Sequence, residues 1–228
     1  MGAGTAVLIP ARDEAPRLGT VIARVRRALP AADVLVVDGG SQDDTARVAR
    51  AAGARVVRQV GPLGYARALS TGYRDLSGRG YAHVIQLDGD GQHPPEAAAA
   101  LLSGLAEANL VIGSRRGGDR SRTALRRIGN RALVVGVRAA CGLRVQDATS
   151  GFWALDARAL AIFAGAFPAD VADANVRVMA HRRGLSVTEV AVTMAARMGG
   201  VSMHDGPRGA VNMGLSIFAL AREALRPL

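Results

Sequence analysis

An α/β fold, with a mostly parallel central sheet flanked by helices, follows from three features of the sequence. Short apolar runs alternate with helical patterns through the first half of the chain. Those runs are continuous rather than alternating, as expected of strands covered on both faces. Three of them end in polar clusters, two of which carry glycine, at the position where such sheets collect their functional residues.

The elements can be taken in order. Thr5–Ile9, Asp33–Val37, Arg55–Arg58, His83–Leu87 and Leu110–Gly113 read as strands. Arg17–Leu29, Asp43–Ala52, Gly64–Leu76 and Pro95–Ala106 read as the helices between them, giving βαβ units. Asp43 and Asp44 stand where a helix should start, which suits capping. After the polar stretch Gly117–Arg122, Thr123–Ala140 has helical spacing. Its Arg127, Arg131 and Arg138 fall on one face, and Leu125, Ile128, Ala132, Val135 and Ala139 fall roughly opposite. Gly151–Leu155 and Ser186–Val192 read as late strands, with helix Val171–Arg183 between them. Arg197–Arg208 is glycine-rich and reads as loop, and Met213–Leu225 as a final helix. No repeat or linker divides the chain, so residues 1–228 are expected to form one domain.

Composition narrows the partners. The chain has no lysine, so all 29 basic residues are arginine, and the net charge of +10 calls for an anionic partner. Nucleic acid is disfavoured, because aromatics make up only 4% and stacking surfaces are correspondingly scarce. A single cysteine, Cys141, excludes an internal disulfide and a cysteine-based zinc site, and fits a reducing cytoplasm. No charged segment precedes the first apolar strand, so no secretory leader is expected. The longest uncharged apolar stretch, Gly209–Ala221, falls short of the roughly 18 residues a spanning helix needs.

The strand-end clusters carry the chemistry. The first is Pro10-Ala11-Arg12-Asp13-Glu14, the second runs from Asp38 to Thr45, and the third from Asp88 to Pro95. In the third, Asp88 and Asp90 are separated by Gly89, and two carboxylates so placed can share one hard cation. Magnesium or manganese suits oxygen ligands and shares them readily with phosphates. Residues one apart on a strand point to opposite faces, so the chain is expected to leave strand geometry at Gly89. Asp38 can accept hydrogen bonds from a base or ribose, with Gly39 and Gly40 allowing close approach. The Gly61-Pro62-Leu63-Gly64 turn opens a helix and could serve the same ligand.

Together these segments resemble the family 2 glycosyltransferases of the GT-A (nucleotide-diphospho-sugar transferase) fold, and among them the dolichyl-phosphate mannosyltransferase-like branch. The family's V-I-P-x-x-N-E is similar to Val7–Glu14, with Asp13 in place of Asn. Its V-V-D-D-G-S-x-D-x-T is similar to Val36–Thr45, with Gly39 for the second Asp. D-x-D-G-Q-H-P-P-E is matched by Asp88–Glu96, G-S-R by Gly113–Arg115, and D-x-T-S-G-F by Asp147–Phe152, followed by Trp153 where Arg is usual. The late E-V-P-V and R-x-x-G-x-S resemble Glu189–Val192 and Arg197–Ser202.

The resemblance implies an inverting transfer from a GDP- or UDP-sugar. The 1–116 half would bind the nucleotide sugar, and the 117–228 half, with its amphipathic helices, the acceptor. Pro10, Ala11, Arg12, Glu14, Asp38, Gly64, Asp88, Gly89 and Arg197 are the implied donor-binding residues. Asp88, Asp90 and Gln92 would hold Mg2+ or Mn2+, with Asp90 catalytic. A lipid-phosphate acceptor, polyprenyl phosphate, would need no general base, and Arg115, Arg127, Arg131 and Ser150 would bind its phosphate. A hydroxyl on a soluble small molecule would need one, and Asp173 is the first candidate and Asp170 the second. The expected location is cytoplasmic and peripheral to the inner face of the membrane. A sugar-nucleotide pyrophosphorylase is the alternative from another class. It calls for a long glycine-rich signature after the first strand, where this chain has Pro10–Glu14.

Overall fold

The structure, a computed structural model, describes residues 4–60, 64–115, 124–195 and 206–226. Its strands are β1 (Thr5–Ala11), β2 (Asp33–Asp38), β3 (Arg55–Arg58), β4 (His83–Gln86), β5 (Leu110–Arg115), β6 (Trp153–Asp156) and β7 (Val187–Val192). They form one sheet in the order β3-β2-β1-β4-β6-β5-β7. Every pairing is parallel except those of β6, which runs antiparallel to both β4 and β5. The helices are α1 (Ala15–Ala28), α2 (Thr45–Ala51), α3 (Tyr65–Ser77), α4 (Ala98–Gly104), α5 (Ala124–Cys141), α6 (Ala157–Ala166), α7 (Ala174–Arg182) and α8 (Gly206–Leu225), with a 3-10 turn at Pro95–Ala97 before α4.

The continuous apolar runs are explained by cores on both faces. Ala6, Leu8, Leu35, Val37 and Val84 point to the face covered by α3, α6 and α7. Val7, Ile9, Val34, Val36 and Ile85 point to the face covered by α1 and α4. Alternate residues of one strand thus serve opposite layers. A smaller third cluster joins α5, α7 and α8 through Leu133, Val137, Val178 and Leu220.

Several expectations are corrected here. The segment after β6 holds an unexpected helix, α6, opened by Asp156, whose carboxylate accepts from Ala159 N at 2.7 Å. Residues 206–208, expected in a loop, belong to α8, while the rest of that expected loop lies outside the described residues. Asp44 makes no side-chain cap to α2 and pairs with Arg47 instead. Asp43 does the holding, accepting from Thr45 N and, across the loop, from Ala15 N.

The apolar face of α5 is in solvent: Ile128 is 66% and Val135 62% exposed, and Ala132 and Ala139 are exposed as well. The buried ridge runs instead through Gly129, Leu133 and Val137. Glycines decide this, since a Cβ at Gly129 would lie 2.4 Å from Met213 Cε and one at Gly136 2.6 Å from Leu220 Cδ2. The helix therefore approaches α8 most closely at its glycines, packs Leu133 and Val137 beside them, and leaves Ile128 and Val135 outside.

Candidate active site

Parallel register brings the ends of β1, β2 and β4 to one edge of the sheet. Ala11 sits opposite Asp38, and Leu8 opposite Gln86. The loops beyond are tied together. Asp13 N donates to Ser41 Oγ, Gln42 N to Asp13 Oδ1, and Glu14 N to Thr45 Oγ1. Asp13 has a φ of 54°, a left-handed conformation that Asn and Asp tolerate better than other side chains. Either residue also offers the oxygen that Gln42 needs, so Asp13 can stand where the family has Asn.

Asp38 is fully buried at the end of β2. Its Oδ1 accepts from Ser41 N at 2.8 Å. Its Oδ2 lies 3.3 Å from Arg58 Nε, yet it takes part in no hydrogen bond. A buried carboxylate oxygen left without a donor is costly, and it suits a ligand that brings one. Of the other expected donor-side residues, Pro10 and Ala11 are buried in β1. Arg12 is exposed, and Glu14 is spent on Arg17 at 2.7 Å. Gly64 precedes α3 at φ 85°. Arg197 lies outside the described residues.

The Asp88–Glu96 segment leaves the strand earlier than expected, because β4 ends at Gln86. The left-handed residue of the turn is Gly91, at φ 80°, and not Gly89. Gly89 packs against β1, its Cβ position 3.5 Å from Ala11 Cβ. Two contacts pin the turn. Asp88 N donates to His93 Nδ1 at 2.9 Å, and Gln92 N to Asp90 Oδ1 at 2.9 Å. A nitrogen that accepts carries no proton. The 3.8 Å approach of His93 Nδ1 to Asp88 Oδ2 is therefore not an ion pair. His93 is buried and stacked on Phe152, so it positions the turn. Glu96, the last residue of the segment, clamps Arg24 of α1 through two hydrogen bonds.

The donor set fits a hard divalent cation, with two carboxylates and the amide oxygen of Gln92. Among the described residues no group of three or more His, Cys, Asp or Glu forms a closed metal site. The remaining ligands would come from a substrate diphosphate.

The Val145–Gly151 loop faces this turn and is held by four elements. Arg115 at the end of β5 pairs with Asp147. Asn130 of α5 accepts from Ala148 N at 3.1 Å. Glu189 of β7 accepts from Gln146 N and Asp147 N, and burial pushes its carboxyl up. Arg177 of α7, fully buried, donates to the carbonyls of Asp147 and Ser150. Ser150 is buried too, and its hydroxyl donates to Gly113 O at 2.6 Å. Its geometry is that of a rivet between loop and strand rather than the expected phosphate donor. Arg115 is likewise engaged in holding the loop, whereas Arg127 and Arg131 stand exposed on α5. Asp173 precedes α7 and accepts from Ser216 Oγ of α8 at 2.7 Å.

Two residues of this site escape a reading of motifs. Tyr65, at the start of α3, donates to Asp88 Oδ1 at 2.9 Å. Burial first, then the charge of Asp88, pushes its phenol well above the usual value, so it remains a donor. Gln86, fully buried at the end of β4, links Tyr65 to Gly151 O. A polar residue inside the apolar run His83–Leu87 was the available signal. Of the described candidate residues, only Asp170 lines the groove of about 1010 Å³ beside α8, which Phe167, Phe218 and Arg67 also border.

Acidic loops and a D-x-D turn at the carboxyl edge of such a sheet define a GT-A glycosyltransferase. The chain belongs to glycosyl transferase family 2, which it matches over residues 6–162. It is 32% identical over 210 residues to the undecaprenyl-phosphate mannosyltransferase of Micrococcus luteus, covering 87% of this chain and 86% of that one. It is 30% identical over 240 residues to the polyprenol monophosphomannose synthase of Mycolicibacterium smegmatis, covering 97% and 87%. Among solved structures, glucosyl-3-phosphoglycerate synthase from Mycobacterium tuberculosis in complex with phosphoglyceric acid is similar. Its TM-score is 0.75 at 24% identity, over all of this chain and 82% of that one. The same enzyme in complex with Mn2+, uridine diphosphate and phosphoglyceric acid gives 0.72 at 22%, over all of this chain and 80% of that one.

Proposed function

We propose that this glycosyltransferase moves a sugar from a GDP- or UDP-sugar to polyprenyl phosphate, with inversion at the anomeric carbon. The observation that carries the reading is the turn from Asp88 to Gln92. It sets two carboxylates just past the end of β4, at the same edge of the sheet as the buried, undonated oxygen of Asp38 at the end of β2. Asp88, Asp90 and Gln92 would hold Mg2+ or Mn2+. The bound ion would neutralise charge on the leaving diphosphate. Residues 1–116 bind the donor and 117–228 the acceptor in this reading, and Asp38 receives the base or ribose. An acceptor phosphate is already an anionic nucleophile, so the protein's part is positioning and charge stabilisation. The polyprenyl-phosphate relatives support this acceptor.

The test is a donor screen by mass spectrometry, offering GDP- and UDP-sugars with polyprenyl phosphate and, separately, with soluble phosphorylated and neutral alcohols. Transfer to polyprenyl phosphate is expected. Arg131→Ala should raise the acceptor KM by about tenfold, the order of one charge-assisted contact, and leave donor affinity unchanged. Transfer to a soluble hydroxyl alone would replace this reading with one in which Asp173 serves as general base.

The same acceptor places the enzyme at a membrane surface. Among the described residues no helix is long and apolar enough to cross a bilayer. Ile128 and Val135 on α5, and Val211, Leu215 and Phe218 on the adjoining α8, are exposed, and Arg127, Arg131 and Arg138 stand exposed on α5. Apolar residues near arginines suit an anionic lipid interface. Sedimentation with anionic vesicles should show binding at low salt that weakens as salt rises. Absence of binding at low salt refutes it.

A further inference from the structure

A directional chain of hydrogen bonds runs from the core to Asp88. Tyr73, fully buried, packs edge-on against Phe163 at 5.2 Å and donates to Gln86 Oε1. Gln86 Nε2 donates to Gly151 O at 2.8 Å and to Tyr65 Oη at 3.2 Å. Tyr65 Oη donates to Asp88 Oδ1 at 2.9 Å. The order of donors is forced. Gly151 O can only accept, so the Gln86 amide nitrogen must face it, and the amide oxygen then faces Tyr73. With Tyr65 Oη accepting from the amide, its one proton is directed to the carboxylate.

Gly151 supplies a second observation. A Cβ there would lie 2.8 Å from Tyr65 Oη, closer than real Cβ contacts come. Its next neighbours, Gln86 Nε2 at 3.6 Å and Asp88 Oδ2 at 3.7 Å, are at ordinary contact distance. The hydroxyl of Tyr65 is thus the atom that excludes a side chain at position 151.

We infer that Tyr65 is a positioning residue that fixes the Asp88 carboxylate for the divalent cation, and that Gly151 keeps open the space its hydroxyl needs. The inference rests on the reading of Asp88 as a metal carboxylate. It also joins the two halves of the site, because the loop that carries Gly151 shares one hydrogen-bond chain with the D-x-D turn. A carboxylate with one oxygen tied presents the other in a fixed direction. Untied, it must be ordered by the ion itself, at a cost in affinity.

The experiment is calorimetry of Mn2+ binding to the full chain with GDP or UDP present, using wild type, Tyr65→Phe, Gly151→Ala and the double variant. Thermal melts accompany each. Tyr65→Phe keeps the ring and should weaken Mn2+ binding roughly tenfold, the order of one hydrogen bond to a charged group. Gly151→Ala should weaken it similarly by displacing the hydroxyl. In the double variant the alanine meets only ordinary contacts, so its affinity should equal that of Tyr65→Phe alone, a non-additivity that a purely structural role would not produce. Wild-type affinity in Tyr65→Phe, even with a lowered melting point, overturns the positioning role. Equal losses from Gly151→Ala in both backgrounds overturn the part assigned to Gly151. If the wild type binds no Mn2+ with either nucleotide, the metal reading falls and takes this inference with it, an outcome the variants cannot mimic.

Discussion

Arg177→Met should lower the stability of the fold by about 3–5 kcal/mol, the range for breaking a buried charged network by removing one partner. For a domain of this size that is roughly a 10 °C fall in melting temperature. The guanidinium is fully buried between α7 and the Val145–Gly151 loop. It donates to Asp147 O at 2.9 Å and Ser150 O at 3.0 Å, and its Cζ lies 5.8 Å from the centre of the Trp153 ring. Burial pushes its pKa down, while the carboxylates of Asp147, Asp173 and Glu189 pull it up. Methionine has comparable volume but no donor and no charge. The carbonyls of Asp147 and Asp173 would lose this donor, Ser150 O would keep only Trp153 Nε1, and the nearby carboxylates would lose their common counter-charge. Arg177 Nε has no hydrogen-bond partner, so the network is already incompletely satisfied, which puts the expected loss nearer the lower end. Thermal melts and urea titrations measure it. A variant melting within about 2 °C of wild type would mean the loop is held by Arg115, Asn130 and Glu189 without help, since that shift corresponds to under 1 kcal/mol.

How much of this was legible in the sequence depends on what fixes each element. The strands were legible because covered parallel strands are apolar on both faces, and Thr5–Ala11 and Asp33–Asp38 bury nearly every residue. The D-x-D turn was legible because acidic residues at a strand end have few other reasons to cluster. Helix α6 was missed because Ala157–Ala166 is mostly alanine and apolar, with little periodic contrast. The buried face of α5 was not legible for a different reason. Helical spacing groups Ile128 and Val135 on one apolar face, but α8 approaches through Gly129 and Gly136, and close approach selects for small size rather than for apolarity. Arg177 was illegible because it sits between Val176 and Val178 in a helix buried on all sides from Ala174 to Ala180. Only the carbonyls that face it, from a loop 27 and 30 residues away, explain an arginine there. The role of Ser150 was hidden similarly, since its acceptor is the backbone of Gly113, 37 residues away.

Asp90→Asn should cut transfer by at least about a hundredfold, as expected when several kcal/mol of charge stabilisation are lost at the leaving group. The substitution isolates charge from shape. Asp90 is 5% exposed, and its Oδ1 accepts from Gln92 N at 2.9 Å, a bond that an asparagine oxygen can equally accept. The turn should therefore persist, with His93 still holding Asp88 N from the other side. One negative charge leaves a segment that carries two within three residues, so like-charge repulsion falls. The melting temperature should accordingly be unchanged or slightly higher, the usual sign of a residue kept for function at some expense of stability. Mn2+ binding measured with nucleoside diphosphate present should weaken along with turnover, and the dependence of rate on metal concentration should flatten. These readouts separate the alternatives. Lost activity with a lowered melting point would mark Asp90 as structural. Lost activity with intact Mn2+ affinity would move the cation off this carboxylate and leave Asp90 to contact the sugar. Full activity in Asp90→Asn, or undiminished wild-type transfer in the presence of a chelator, would remove the D-x-D turn from the chemistry altogether.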